Sequence, residues 1–136
     1  MKKLFLFAFL FIALTSCGDQ LKEEVVQSYD NGQSACLHYV NKKNECVREV
    51  QFYENGAVKM EGGMKNDKRF GEWKSYFPDG KVQSTGYFEN GIRTGEAMVY
   101  HENGNLFMKG QYKDGKKIGE WFFYDEQGYE TDRKNY

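Results

Sequence analysis

Glycine recurs along this chain with a period of 24 residues, and this period constrains the fold more than any other feature of the sequence. Thirteen of the 15 glycines fall into four series that keep the spacing. The series are Gly32, Gly56, Gly80, Gly104 and Gly128; Gly62, Gly86 and Gly110; Gly71, Gly95 and Gly119; and Gly91 and Gly115, preceded by Asp67 in the equivalent place. A fixed period of this length indicates an array of repeated units and argues against the fold of an ordinary globular enzyme.

Aromatic and acidic residues keep the same period. The repeated positions are Phe52, Tyr76, Tyr100 and Tyr124; Glu72, Glu96 and Glu120; and Trp73, Ala97 and Trp121. They predict three full units and a C-terminal half unit within residues 52–136, preceded by a degenerate unit over residues 28–51. Atypical ends are expected, because the terminal units of an array must present a finished face to water.

Each full unit reads as a β-hairpin. Pro78–Gly80 and Asn90–Gly91 are turn signals, and the segment Val82–Phe88 between them alternates with period two. A hairpin cannot bury its own apolar face, so stacked hairpins are expected to form one elongated antiparallel sheet. Each unit would add two strands, or roughly 10 Å. The sequence therefore predicts an all-β fold with almost no helix after the N-terminal segment.

A glycine inside the second strand of each hairpin leaves room for a neighbouring group. For Gly86 we expect an aromatic side chain of the same hairpin, Trp73 or Tyr76, to lie over it.

The repeated consensus, Y-x-x-N/D-G-x-V/L-x-x-x-G followed by an aromatic, a second N/D-G and G-E-W, resembles the MORN repeat in its bacterial variant form. The positions that carry the resemblance are Tyr76, Gly80, Gly86, Gly91, Gly95 and Glu96 with their equivalents. The resemblance covers about residues 50–136. It implies an array of hairpins that serves as a binding or scaffolding surface, and cytoplasmic relatives are often labelled antitoxins.

The N-terminus has the layout of a secretory signal peptide. Met1–Lys3 is basic, Leu4–Leu14 is apolar, and Leu14–Cys17 resembles the lipobox of bacterial lipoproteins. We therefore expect residues 1–16 to be cleaved, Cys17 to be lipidated, and residues 17–27 to be an anchor and polar tether. This places the protein on a membrane of the bacterial cell envelope, at the outer membrane or cell surface in a diderm. The alternative is an ordinary signal peptide whose cleavage site lies beside a cysteine.

The charge of the mature chain argues against nucleic-acid binding. Without residues 1–16, 17 basic residues face 20 acidic ones, which leaves a net charge of about −3. A nucleic-acid binder needs a basic face that displaces counterions from phosphates.

Two further cysteines, Cys36 and Cys46, lie in the degenerate unit on either side of a hairpin turn at Asn41–Asn44. In an oxidising compartment such a pair favours a disulfide. The alternatives are two free buried thiols or a metal pair with His38. Because no further ligand cluster is apparent in the sequence, we expect no metal site and no cofactor.

The repeated glutamates Glu72, Glu96 and Glu120 invite a catalytic interpretation. However, a residue that recurs once per unit after the same glycine is expected to serve the repeat, by bonding to loop amides or a neighbouring lysine. His101 occupies a variable turn position and is expected at the surface. Since no nucleophile–base pair is apparent, the sequence predicts a protein that is not an enzyme.

A single-layer sheet cannot bury both of its faces, so some aromatics are expected to form an exposed binding stripe. The candidates are Trp73, Tyr76, Tyr87, Tyr100, Tyr112, Trp121 and Tyr124. In the alternative, the sheet curls and covers them. The function predicted is binding of an unidentified protein partner, with immunity or antitoxin activity toward one toxin, or glycan and cell-wall binding, as alternatives. The C-terminal half unit leaves a sheet edge that either pairs with a second copy or is blunted by its charges.

Overall fold

The structure is a computed structural model that describes residues 20–136, and all regular secondary structure in that range is β-strand. The strands are β1 Lys22–Ser28, β2 Ser34–Val40, β3 Cys46–Phe52, β4 Val58–Lys65, β5 Lys68–Tyr76, β6 Val82–Glu89, β7 Ile92–Tyr100, β8 Leu106–Lys113, β9 Lys116–Tyr124 and β10 Glu130–Asn135. The all-β prediction is confirmed. The predicted signal peptide and Cys17 lie outside the described residues.

The ten strands form one open antiparallel sheet whose order follows the sequence, from β1 at one edge to β10 at the other. Every strand therefore pairs only with the strands that precede and follow it in the chain. Two strands and two turns account for the 24-residue period, as the sequence predicts. Within residues 20–136, no helix is long and apolar enough to cross a membrane.

Part of the segment expected to be a tether is in the sheet. Lys22–Ser28 forms β1 and pairs with β2, with Lys22 opposite Val40 and Ser28 opposite Ser34. Sequence pattern missed this strand because its residues are largely polar and exposed. Backbone groups hydrogen-bond whatever the side chains, so a polar segment can complete the edge of β2.

A five-residue turn joins the two strands of every hairpin. These turns span residues 29–33, 53–57, 77–81, 101–105 and 125–129. In the central turn, the Gly80 amide donates to the Phe77 carbonyl at 2.8 Å, and Gly80 has a φ of 88°. The Asp79 carboxylate accepts from the Lys81 amide at 3.1 Å. The first glycine series therefore supplies the left-handed conformation that these turns require.

From β4 onwards, two-residue turns connect consecutive hairpins, at Asn66–Asp67, Asn90–Gly91 and Asp114–Gly115, whereas β2 and β3 are joined by a five-residue turn over residues 41–45. Both residues of each two-residue turn have positive φ, which defines the type I′ turn that matches the twist of antiparallel strands. Asp67, at the place where the other turns have glycine, adopts a φ of 58°. The series of Gly91 and Gly115 is thus explained by the positive φ that the second residue of these turns requires.

The two faces of the sheet differ in composition. Cross-strand pairing aligns one row that we call the tryptophan face: Gly62, Trp73, Gly86, Ala97, Gly110 and Trp121. The neighbouring row points the other way and defines the opposite face: Glu61, Lys74, Thr85, Met98, Lys109 and Phe122. The tryptophan face holds Trp73, Ala97 and Trp121, which are buried, and a smaller group of buried residues lies in the N-terminal unit: Ala35, Cys36, Val40, Cys46 and Val50.

Candidate functional site

Each tryptophan lies over a glycine of the preceding strand. Trp73 in β5 is directly opposite Gly62 in β4, and a Cβ placed on Gly62 would overlap the indole ring. Trp121 covers Gly110 in the same way. Our expectation that Trp73 or Tyr76 covers Gly86 of its own hairpin is wrong, since the nearest group to a Cβ at Gly86 is the Arg93 guanidinium at 3.8 Å.

Basic side chains that recur every 24 residues, Arg69, Arg93 and Lys117, lie over the aromatic rings of the tryptophan face. The Arg69 guanidinium lies 4.1 Å from the ring centre of Trp73, and Lys117 Nζ lies 4.4 Å from that of Trp121. In the unit between them, Arg93 lies 5.7 Å from the ring centre of Phe88 and 5.1 Å from that of Tyr112. Each contact of this kind contributes about 0.5–2 kcal/mol. The cations and aromatic rings therefore shield the tryptophans without a second layer of secondary structure.

The predicted binding stripe is corrected by this arrangement. Trp73 is 3% exposed and Trp121 is 1% exposed, so neither can contact a partner. Four of the other candidates are half-buried: Tyr76, Tyr100, Tyr112 and Tyr124. Tyr87, at 41% exposure, is the one candidate with a freely accessible ring. The sequence shows the aromatic repeat but does not show that arginine and lysine side chains fold over it.

Two shallow grooves lie on the opposite face at equivalent positions two units apart. The first, of about 280 Å³, is lined by Arg48, Glu61, Glu72 and Lys74 among others. The second, of about 340 Å³, is lined by Glu96, Lys109, Ile118, Glu120 and Phe122 among others. The structure therefore gathers the repeated glutamates along one accessible face.

The repeated glutamates are exposed, and two of the three make ion pairs. Glu72 lies 3.2 Å from Lys74 of its own strand, and Glu120 lies 3.6 Å from Arg133 of β10. These partners differ from the loop amides and the lysine of a neighbouring unit that we expected. Exposed pairs of this kind contribute little to stability, about 0–1 kcal/mol.

A hydrogen-bonded cluster on the opposite face links three strands. Tyr76 Oη donates to Glu61 Oε1 at 2.6 Å, and the Arg48 guanidinium donates to Glu61 Oε2. Burial alone would raise the pKa of Glu61, but the bonds from Tyr76 and Arg48 outweigh it and lower that pKa below its ordinary value. Burial and the bond to Glu61 raise the pKa of Tyr76 to about 12. The cluster thus favours ionised Glu61 beside neutral Tyr76.

One position at the start of the five-residue turns ties successive units together. Tyr29 Oη donates to the Phe52 carbonyl at 2.7 Å, and Tyr53 Oη donates to the Tyr76 carbonyl at 2.8 Å. His101 Nε2 lies 2.9 Å from the Tyr124 carbonyl. His101 is half-buried, so the expectation of a simple surface residue is wrong. The 24-residue spacing of Tyr29, Tyr53 and His101 was the sequence feature that could have indicated their shared role.

The two cysteines of the N-terminal unit are free, and both are buried. Cys36 pairs with Gln51, whereas Cys46 pairs with Val40, four residues further along β2. Four residues of strand span about 13 Å, and the Cα atoms of a disulfide lie within about 7 Å. The predicted disulfide is therefore not present in this structure. Burial, with smaller effects of Glu49 and Cys46, raises the pKa of the Cys36 thiol to about 11.

The side chain of Glu49 lies close to those of Cys36 and His38. Glu49 lies opposite His38, and Glu49 Oε2 is 3.1 Å from His38 Nε2. One ligand atom of each residue, Cys36 Sγ included, lies within 4.8 Å of the other two. Glu49 was not among the residues predicted from the sequence, because its place beside His38 depends on the pairing of β2 with β3.

Comparison with known proteins identifies the repeat. Residues 71–90 and 93–114 match the family model described as MORN repeat variant. No curated protein matches the chain. The two matched segments run from β5 to the residue after β8, and the same turn geometry extends on both sides of them. The chain therefore contains MORN-like repeats, a kind of unit that commonly serves as a protein-binding or membrane-binding scaffold.

Proposed function

We propose that this protein is a membrane-anchored envelope lipoprotein whose repeat array is a non-catalytic scaffold that binds a protein partner. The N-terminal motif that ends at Cys17 supports the anchor. The match to MORN-like repeats supports the scaffold. The observation that carries the binding role is the accessible opposite face, with its two equivalent grooves.

The opposite face suits protein recognition better than the tryptophan face. Its grooves carry both signs of charge, and Ile118 and Phe122 add apolar area to the second groove. Mixed charged and aromatic surfaces give an interface its specificity and its anchoring contacts. The tryptophans, in contrast, are only 3% and 1% exposed, whereas Phe122 stays partly exposed beside Arg133 and Lys109.

A binding role for the glutamates is favoured over acid–base catalysis. Glu72 and Glu120 line open, shallow grooves, and their partners are a lysine and an arginine. Such ion pairs differ from the enclosed pairs of titratable groups that acid–base catalysis uses. We expect a partner with basic and apolar side chains to replace these exposed pairs.

Crosslinking and pull-down from intact cells tests this proposal. The chain that retains Cys17 is compared with Cys17→Ala, and each is also made with Glu96→Lys in the second groove. Glu102→Lys is the matched control, because Glu102 is exposed in a turn outside the groove. We expect to recover one protein in stoichiometric amount. The recovered amount should fall at least tenfold with Glu96→Lys and should not change with Glu102→Lys.

The identity of the recovered molecule separates the possible roles. A toxin would make the array an immunity-type protein with one dedicated partner. Recovery that is equal with and without Glu96→Lys would refute the assignment of the opposite face. Cell-wall fragments alone would replace protein binding by glycan binding, and recovery unaffected by Cys17→Ala would count against the anchor.

A further inference from the structure

The N-terminal unit replaces the glycine–tryptophan pair of the array with two metal-binding residue types. His38 is one period before Gly62, and Glu49 is one period before Trp73. The register agrees, since His38 pairs with Glu49 as Gly62 pairs with Trp73. Cys36 stands two residues before His38, on the same side of β2. The place that holds the glycine–tryptophan contact in the later unit thus holds an imidazole and a carboxylate, with a thiol beside them.

The geometry of these three groups is close to that of a tetrahedral site. With bonds of about 2.0–2.3 Å to nitrogen, oxygen and sulfur, tetrahedral ligand atoms lie about 3.3–3.7 Å apart. His38 Nε2 and Glu49 Oε2 are already 3.1 Å apart, and no pair among the three exceeds 4.8 Å. The thiol sulfur would have to move by about 1 Å to reach the same distance from the other two ligand atoms.

A second residue orients the carboxylate. Gln51 Nε2 donates to Glu49 Oε1 at 2.8 Å, which leaves Oε2 directed at His38. Hydrogen bonds of this kind to a ligand fix its orientation and are a regular feature of metal sites. Gln51 is therefore a positioning residue in this arrangement.

The ligands line an open cleft that leaves room for a fourth ligand. The cleft has a volume of about 430 Å³, and its walls include Cys36, His38, Glu49 and Gln51. Lys59 also lines it, but this residue is exposed, and its Nζ lies 5.7 Å from the ring centre of Tyr53. Water can therefore complete the coordination.

We propose that Cys36, His38 and Glu49 form a site for a divalent transition-metal ion, zinc in particular, with water as the fourth ligand. Thiolate, imidazole and carboxylate together match the ligand preferences of zinc, whereas magnesium and calcium prefer oxygen alone. A thiolate and a carboxylate balance the charge of the ion. The bound metal connects β2 to β3 and stabilises the N-terminal unit, where the glycine–tryptophan contact is missing. This role is independent of the protein-binding role of the opposite face.

Metal titration of the full chain tests the site. The chain has three cysteines, so Cys17→Ala leaves Cys36 and Cys46 as its thiols. This variant is purified in detergent, kept reduced, stripped with a chelator and titrated with zinc or cobalt(II). We expect one ion per chain, a thiolate-to-cobalt charge-transfer band and a higher Tm with zinc.

Matched variants assign the ligands. Cys36→Ser should abolish the cobalt band, whereas Cys46→Ser, which changes another buried thiol of the same unit, should retain it. Glu49→Gln should weaken zinc binding at least tenfold, and Gln51→Ala should weaken it by about 10–100-fold. Glu49→Gln conserves the shape of the side chain, so it also tests the site if Cys36→Ser fails to fold.

Three results would overturn the proposal. They are the absence of stoichiometric zinc binding, a cobalt band that survives in folded Cys36→Ser, and zinc affinity unchanged by Glu49→Gln. Loss of the band in folded Cys46→Ser together with its retention in Cys36→Ser would move the thiol ligand to Cys46 and equally refute the site.

Discussion

A glycine in the middle of a strand usually weakens the strand, because it has no side chain to pack. Gly62 and Gly110 are exceptions that the indole rings of Trp73 and Trp121 explain. Gly86 shares their place in the repeat but faces Ala97 in the next strand and is not covered by an indole ring. The same sequence position therefore has different steric demands in successive units.

Alanine substitution should reveal this difference. We expect Gly62→Ala to lower the free energy of unfolding by about 1–3 kcal/mol, because the new methyl group displaces the Trp73 ring. Gly86→Ala should change it by less than about 0.5 kcal/mol, since the nearest atoms are at 3.8 Å on a flexible arginine. Urea unfolding monitored by circular dichroism measures both. Equal losses would contradict the assigned packing.

The two tryptophans differ in their polar contacts. Trp73 Nε1 donates to the Gly63 carbonyl at 3.0 Å, whereas Trp121 Nε1 is buried and finds no partner within the described range 20–136. Trp73→Phe should therefore destabilise the chain by about 1 kcal/mol more than Trp121→Phe. Chemical denaturation of both variants checks this order. A larger loss for Trp121→Phe would mean that ring volume outweighs the hydrogen bond.

Among the strands, β3, β4 and β5 are joined by the Arg48–Glu61–Tyr76 cluster in addition to their backbone bonds. A carboxylate whose pKa is lowered by folding stabilises the folded state above its unfolded pKa. That stability is lost as the pH falls below the ordinary value of 4.5 and through the folded pKa. The cluster should therefore contribute to acid sensitivity.

Glu61→Gln tests this contribution. At neutral pH it should lower the free energy of unfolding by about 1 kcal/mol, because the charge-assisted bonds are lost. Between pH 5 and about pH 3 the variant should lose less stability than the unchanged chain. Thermal unfolding across this pH range gives the comparison. Glu54→Gln, an exposed turn residue, is the control and should leave the pH profile unchanged.

The hairpins could be predicted from the sequence alone. Their turns need residues that tolerate positive φ, and these residues recur with the 24-residue spacing. The sequence did not predict β1, whose pairing depends on backbone groups and not on a side-chain pattern. The cation cover of Trp73 was missed because it depends on where the flexible Arg69 side chain folds. The Glu49 contact to His38 was missed because it requires the cross-strand register.

At the scale of the whole molecule, the sheet formed by residues 20–136 is open, with β1 at one edge and β10 at the other. The outer strand β10 carries charges of both signs at Glu130, Asp132, Arg133 and Lys134, and all six of its residues are exposed. Tyr136, which follows β10, exchanges backbone hydrogen bonds with Gly119 at 3.0 and 3.1 Å and contacts Trp121 edge-on. Charges on an edge strand oppose pairing with a second copy.

Removal of residues 130–136 should expose β9 as a new edge. Because β9 carries Trp121, Phe122 and Phe123, we expect a lower Tm and concentration-dependent association. Light scattering and thermal unfolding measure these effects. Lys134→Ala is the control, since it keeps the strand and should leave the chain monomeric. A truncated chain that remains monomeric with an unchanged Tm would show that β10 does not protect the edge.

The pairing of each strand with its sequence neighbours alone has a consequence for how such a chain can change its length. Duplication of one 24-residue segment within β5 to β8 would create a further pair of strands whose contacts already exist elsewhere in the sheet. The gene can therefore lengthen or shorten the array without inventing a new contact, in steps of roughly 10 Å. Recombination can thus change the length of the sheet, while the two different terminal strands remain at its edges.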